Sequence, residues 1–158
     1  MARVCILVSA CLLGLNTKYD GKNNYNEEIA KLVNKSDLLI IPFCPEQLGG
    51  LPTPREPADL TSDGNEILNR RGKVLTWKGD DVTEEFIRGA YESLKLAKLY
   101  NAKIAILKAR SPSCGVNGVY RVKDHKLMNW DGVTAALFKS NGIRVISDED
   151  FIKRGLNL

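Results

Sequence analysis

Three short apolar runs, Arg3 to Val8, Leu38 to Phe43 and Lys103 to Leu107, each lead into a segment that carries a cysteine: Cys11, Cys44 and Cys114. The runs alternate little between apolar and polar residues, as strands covered on both faces do, and such strands build parallel sheets flanked by helices. Helical patterns lie between them, so strand, helix and parallel strand recur, and right-handed crossovers are the default. The expected class is α/β: a three-layer, Rossmann-like fold with a mostly parallel sheet of about four to five strands. In an open parallel sheet the C-terminal strand ends lie on one edge, where ligand sites form. Cysteines far apart in sequence can therefore meet in space.

The densest punctuation follows the second run, in Ile40 to Pro57, IIPFCPEQLGGLPTPREP. Proline fixes φ and glycine tolerates conformations other residues avoid, so this stretch reads as a shaped loop that sets Cys44 and Glu46 at a strand mouth. Earlier, Asp20-Gly21 signals a turn, and Asn26 is a candidate N-cap for a short helix whose inner face is Ile29, Leu32 and Val33. Residues 60–78 resist assignment; Glu66 to Asn69 and Lys73 to Trp77 around Arg70-Arg71-Gly72 suggest a small hairpin outside the main sheet. Asp81 with Glu84 resembles a capping box, and Val82, Phe86, Ala90, Leu94 and Ala97 recur at helical spacing to about Tyr100. Asp131 can cap a last helix to Ser140, Gly142 fits its stop, and Ile143 to Ser147 is a fourth strand, with a final helical turn at Asp150 to Arg154.

At 158 residues the chain is sized for a single domain, 1–158. No run has transmembrane length and the N-terminal apolar segment lacks a signal-peptide pattern, so a soluble, cytoplasmic protein with no membrane partner is expected. The net charge of +4 is spread over scattered Lys and Arg, which argues against a nucleic-acid surface. Cysteines without a secretory signal point to reactive thiols or metal ligation, not a disulfide framework. Cys5, inside the first run, reads as a small buried hydrophobe.

Several chemistries suit three thiols on one edge. Structural zinc takes four ligands with a short-spaced pair, which is missing, and the one histidine, His125, reads as a solvated surface residue. A single nucleophilic cysteine leaves two thiols unexplained. An iron-sulfur cluster fits better: thiolates suit iron, and three of them leave one iron of a cubane open. The rival from another class is a non-catalytic iron-sulfur or metal-binding protein, a sulfur carrier or sensor.

SACLLG at Ser9 to Gly14, YDG at Tyr19 to Gly21, FCPEQLGGLPTPREPAD at Phe43 to Asp59, ARSPSCG at Ala109 to Gly115 and DGVTAAL at Asp131 to Leu137 together resemble the thiouracil desulfidase family. The resemblance implies a 4Fe-4S cluster on Cys11, Cys44 and Cys114 with one open iron, and a small thiolated pyrimidine such as 4-thiouracil as substrate. It puts the family's motif glutamate on Glu46 and its motif serine on Ser111, with Glu46 as general acid and base and Ser111 bonding ring or water. Ser113 is expected to serve the turn around Pro112. Ser9, Asp20 and Arg55 are candidates for substrate contact, and Trp77 and Trp130 are expected to pack.

Overall fold

The computed structural model describes residues 2–158. In chain order its elements are β1 (Val4–Ser9), a single 3-10 turn (Ala10–Leu13), α1 (Glu27–Ala30) running into a second 3-10 turn (Lys31–Asn34), β2 (Leu38–Phe43), α2 (Pro45–Leu48), β3 (Ala58–Leu60), α3 (Gly64–Leu68) and β4 (Val74–Thr76). There follow α4 (Thr83–Leu99), β5 (Ile104–Leu107), β6 (Val119–Tyr120), β7 (Leu127–Met128), α5 (Val133–Ser140), β8 (Arg144–Ser147) and α6 (Asp148–Arg154). No helix among the described residues is long and apolar enough to cross a membrane.

The main sheet has four parallel strands in the order β2-β1-β5-β8. Its strands feed two cores. In β1, Cys5 and Leu7 point to one face while Ile6 and Val8 point to the other; in β5, Ala105 and Leu107 are set against Ile104 and Ile106. This period of two lets one strand serve both layers. Phe86, Ala90, Leu94 and Ala97 of α4 join Leu137 and Phe138 of α5 over the first face, and Ile29 of α1 and Phe151 of α6 cover the second. The result is the three-layer α/β arrangement expected from the apolar runs.

Local details depart from the expected pattern for identifiable reasons. Val33 is 56% exposed, because the chain tightens from α1 into a 3-10 turn and rotates that position outward. At the start of α4 the Asp81 carboxylate accepts from the Thr83 amide (3.0 Å) and hydroxyl (2.6 Å), whereas Glu84 pairs with Arg70 and does not close a capping box. Asp131 does not cap α5; its Oδ1 accepts from the Asn117 amide at 2.9 Å and the Lys139 ammonium at 3.0 Å. A separate antiparallel pair does exist, but it joins β3 to β4, and Glu66 and Ile67 lie in α3 between them. The segment between the Cys114 turn and α5 contains the short β6-β7 pair.

Candidate active site

The sheet order reverses between β1 and β5: β1 connects to β2 on one side, and the chain then returns to the other side through β5 and β8. Such a switch point opens a crevice at the strand C-termini. Cys11 lies in the turn after β1, Cys44 sits at the N-cap of α2 directly after β2, and Cys114 follows β5 in the Ser111 to Gly115 turn. All three line one cavity of about 470 Å³.

The thiols are free. Ser9 Oγ donates to Cys114 Sγ at 3.4 Å and accepts from the Lys108 amide at 3.0 Å, so one buried hydroxyl ties β1 to β5 and touches a cysteine. Cys44 Sγ lies 3.9 Å from both the Thr17 carbonyl and Arg55 Nη2. Burial pushes Cys11, Cys44 and Cys114 above the usual thiol range, and each of them feels the charge of at least one of the others or of Glu46. No three His, Cys, Asp or Glu side chains among the described residues converge tightly enough to hold a single metal ion. Three free thiols lining one cavity are a soft donor set of the kind that suits iron and sulfide.

Glu46 is aimed into the same cavity by α2, a single turn entered through Pro45 at its first position. Gly49 and Gly89 let this turn sit directly on α4: a Cβ at Gly49 would stand 2.0 Å from the Glu85 carbonyl oxygen, and one at Gly89 would stand 2.0 Å from that of Pro45. The Glu46 carboxylate is held from two sides. Arg55 Nε donates to Oε1 at 2.9 Å, and Ser113 Oγ donates to Oε2 at 3.0 Å. The Arg55 side chain is 7% exposed, and it also donates to Thr53 Oγ1 at 2.9 Å and the Thr17 carbonyl at 2.8 Å. Arg55 therefore organises the loops around Glu46 while also lining the cavity.

The two serines after β5 have different partners. Ser111 Oγ accepts from the amides of Ser113 (3.2 Å) and Cys114 (3.1 Å), which shapes the turn that presents Cys114. It also lines the cavity, and its own O–H has no acceptor among the described residues. Ser113, expected only to serve the turn, is the one that reaches the Glu46 carboxylate. Gly132 lets the start of α5 press against this turn, since a Cβ there would fall 2.5 Å from the Ser113 carbonyl oxygen.

Asp20 is not brought to the site. It does not line the cavity, and its carboxylate accepts from the Lys22 amide at 2.9 Å and pairs with Lys18 at 3.5 Å, which closes the Asp20-Gly21 turn. Ser9 does line the cavity, with its hydroxyl already engaged as described.

The structure adds a wall that the sequence did not reveal. Asp59, Trp77, Tyr120 and His125 all border the cavity. His125 Nδ1 lies 2.7 Å from Asp59 Oδ2, its ring stacks on Tyr120 with centroids 4.1 Å apart, and Trp77 meets it edge-on at 5.3 Å. The solvated surface histidine expected from the sequence is thus a fixed one. Trp77, expected to pack, is 62% exposed at the cavity rim, whereas Trp130 does pack against the core. Lys108 and Arg110 also border the cavity, with Arg110 forked onto Glu149 at 2.9 and 2.7 Å.

Three comparisons bear on this arrangement. A model of the 2-thiouracil desulfurase family matches residues 6–150. The uncharacterized protein YbbK of Bacillus subtilis (strain 168) is 44% identical over 147 residues, which cover 92% of this chain and 96% of that protein. The solved structure of the 4Fe-4S-dependent thiouracil desulfidase TudS superimposes with a TM-score of 0.80 at 36% identity, covering 97% of this chain and 95% of that one.

Proposed function

The chain belongs to the 2-thiouracil desulfurase family, and from that premise we propose that it hydrolyses the carbon-sulfur bond of a thiolated pyrimidine such as 4-thiouracil, releasing uracil and sulfide. The observation that carries this reading is the meeting of three free thiols and a doubly held carboxylate in one cavity at the sheet's switch point. Cys11, Cys44 and Cys114 would hold a 4Fe-4S cluster, the cofactor on which the similar TudS depends. When bound, such a cluster supplies a Lewis-acidic iron, left open by three protein ligands, that polarises a thiocarbonyl through its sulfur.

The remaining work falls to the chain's own groups. Glu46 takes a proton from the attacking water as oxygen bonds to the ring carbon, and it returns a proton as the carbon-sulfur bond breaks. Arg55 and Ser113 hold the carboxylate by one oxygen each and fix its direction. The remaining lone pairs on both oxygens can still accept from water. Ser111 donates its uncommitted O–H to the ring or to the water. Water enters, oxygen replaces sulfur and sulfide leaves; no electrons are exchanged with an outside donor.

The test is anaerobic reconstitution with iron and sulfide, followed by the visible spectrum and addition of 4-thiouracil. A broad cluster band followed by loss of thiouracil absorbance and release of sulfide is the expected result. A cluster that forms but turns over neither 2- nor 4-thiouracil would overturn the assigned reaction in favour of a carrier or sensor.

A further inference from the structure

His125 stands at a β6-β7 turn with a φ of +53° and a side chain that is 48% exposed, yet three groups restrain it. An exposed turn residue needs no such support for packing. Asp59 comes from β3, Trp77 follows β4 and Tyr120 ends β6, so separate elements combine to fix one imidazole. A carboxylate only accepts, so Nδ1 facing Asp59 is the ring's N–H, and Nε2 of the neutral ring is left as an acceptor. Nε2 has no partner among the described residues, and the ring borders the same cavity as the thiols and Glu46.

We propose that His125, braced by Asp59, Tyr120 and Trp77, is a substrate-binding residue whose Nε2 accepts a hydrogen bond from a ring N–H of the pyrimidine. This rests on the desulfidase reading and adds to it a second point of attachment. The thiol side would hold the substrate by its sulfur, and His125 reads a ring N–H, a feature that uracil and its thiolated forms share. Two attachments fix a flat ring in its plane, which sulfur alone leaves free to rotate. The Tyr120 and Trp77 contacts restrict the imidazole before the ligand arrives and so lower the entropic cost of binding.

The probe is uracil, which lacks the sulfur. Its binding to the reconstituted protein is measured by anaerobic equilibrium dialysis, alongside 1,3-dimethyluracil, which has no ring N–H. The variant is His125→Asn, because asparagine tolerates a positive φ and keeps the turn. Uracil is expected to bind the wild type measurably and His125→Asn about tenfold more weakly, the scale of one net hydrogen bond. Dimethyluracil is expected to bind both weakly and equally. With 4-thiouracil the same variant should raise KM by a similar factor and leave kcat within about twofold, since this contact exists before and during the reaction. Equal uracil affinity in the two proteins, or no uracil binding to the wild type, would overturn the proposal, as would a lowered kcat at constant KM. Absence of desulfuration in the wild type would defeat the proposed reaction while the dialysis still decides the role of His125.

Discussion

The thiol wall of the cavity and the His125 wall are built on unequal foundations. Cys11, Cys44 and Cys114 follow strands of the main sheet, where β1 and β2 stay in register from Val4 opposite Leu38 to Ser9 opposite Phe43. The other wall hangs on the β3-β4 pair, which runs from Ala58 opposite Thr76 to Leu60 opposite Val74, and on the shorter β6-β7 pair. Side-chain bonds such as Asp59 to His125 supply the order that backbone pairing does not. On the proposed function the thiol wall would be the reacting centre, which tolerates little displacement, whereas the His125 wall would read the substrate and can stand on lighter structure once its side chains are locked.

Substitutions on the thiol wall should have the largest effects. Cys11→Ala, Cys44→Ala and Cys114→Ala should each remove both cluster absorbance and sulfide release, because each would delete one of the three proposed ligands. A variant that kept both would detach that thiol from the account. Glu46→Gln should keep the absorbance and lower kcat by about 10²-fold or more, the range for loss of a general base; full activity would remove Glu46 from the chemistry.

The serines sharpen the division further. Ser113→Ala removes one of the two donors to Glu46 and should lower kcat by about tenfold with iron content unchanged. Ser111→Ala removes the acceptor that shapes the Cys114 turn and should reduce iron content as well as rate. Measuring iron per chain beside kcat separates the two, and identical behaviour would dissolve the distinction.

Smaller effects are expected where the support is purely structural. Gly89→Ala forces α2 away from α4 and should cost about 1–3 kcal/mol in a thermal or denaturant melt, the usual range for overpacking. Asp81→Ala removes the carboxylate at the start of α4 and should cost about 1 kcal/mol. Hydrogen bonds from Thr83 hold the Asp81 carboxyl below its ordinary range. A depressed folded-state value means that this contribution is complete above the ordinary carboxylate range and is lost as pH falls through the folded value. The wild type and Asp81→Ala should therefore converge in stability in acid.

The same contrast explains what could be read from the chain. The thiol wall was legible because an apolar run that ends in a loop cysteine implies a strand, and parallel strands share an edge. The expectation for Glu46 came from its place two residues beyond Cys44 and from the resemblance of its motif. Which serine meets Glu46 was hidden, since that depends on how the Ser111 to Gly115 turn rolls against α2 and α5, and both hydroxyls suit a turn equally. The His125 wall was hidden for a different reason: Asp59 and His125 are far apart in sequence, and strands of two or three residues are too short to show a period. His125 is the chain's one histidine, and nothing in its local sequence tied it to a partner. It became informative only with Tyr120 and Trp77 in place.

The central claim is that Cys11, Cys44 and Cys114 hold a cluster whose remaining iron faces the cavity with Glu46. Mössbauer spectroscopy of protein reconstituted with iron-57, before and after addition of 4-thiouracil, tests it most directly. The account predicts that about one quarter of the iron signal is distinct and that this part alone shifts with thiouracil. Four equivalent irons that ignore the substrate, or a cluster unchanged in the Cys114→Ala protein, would contradict it.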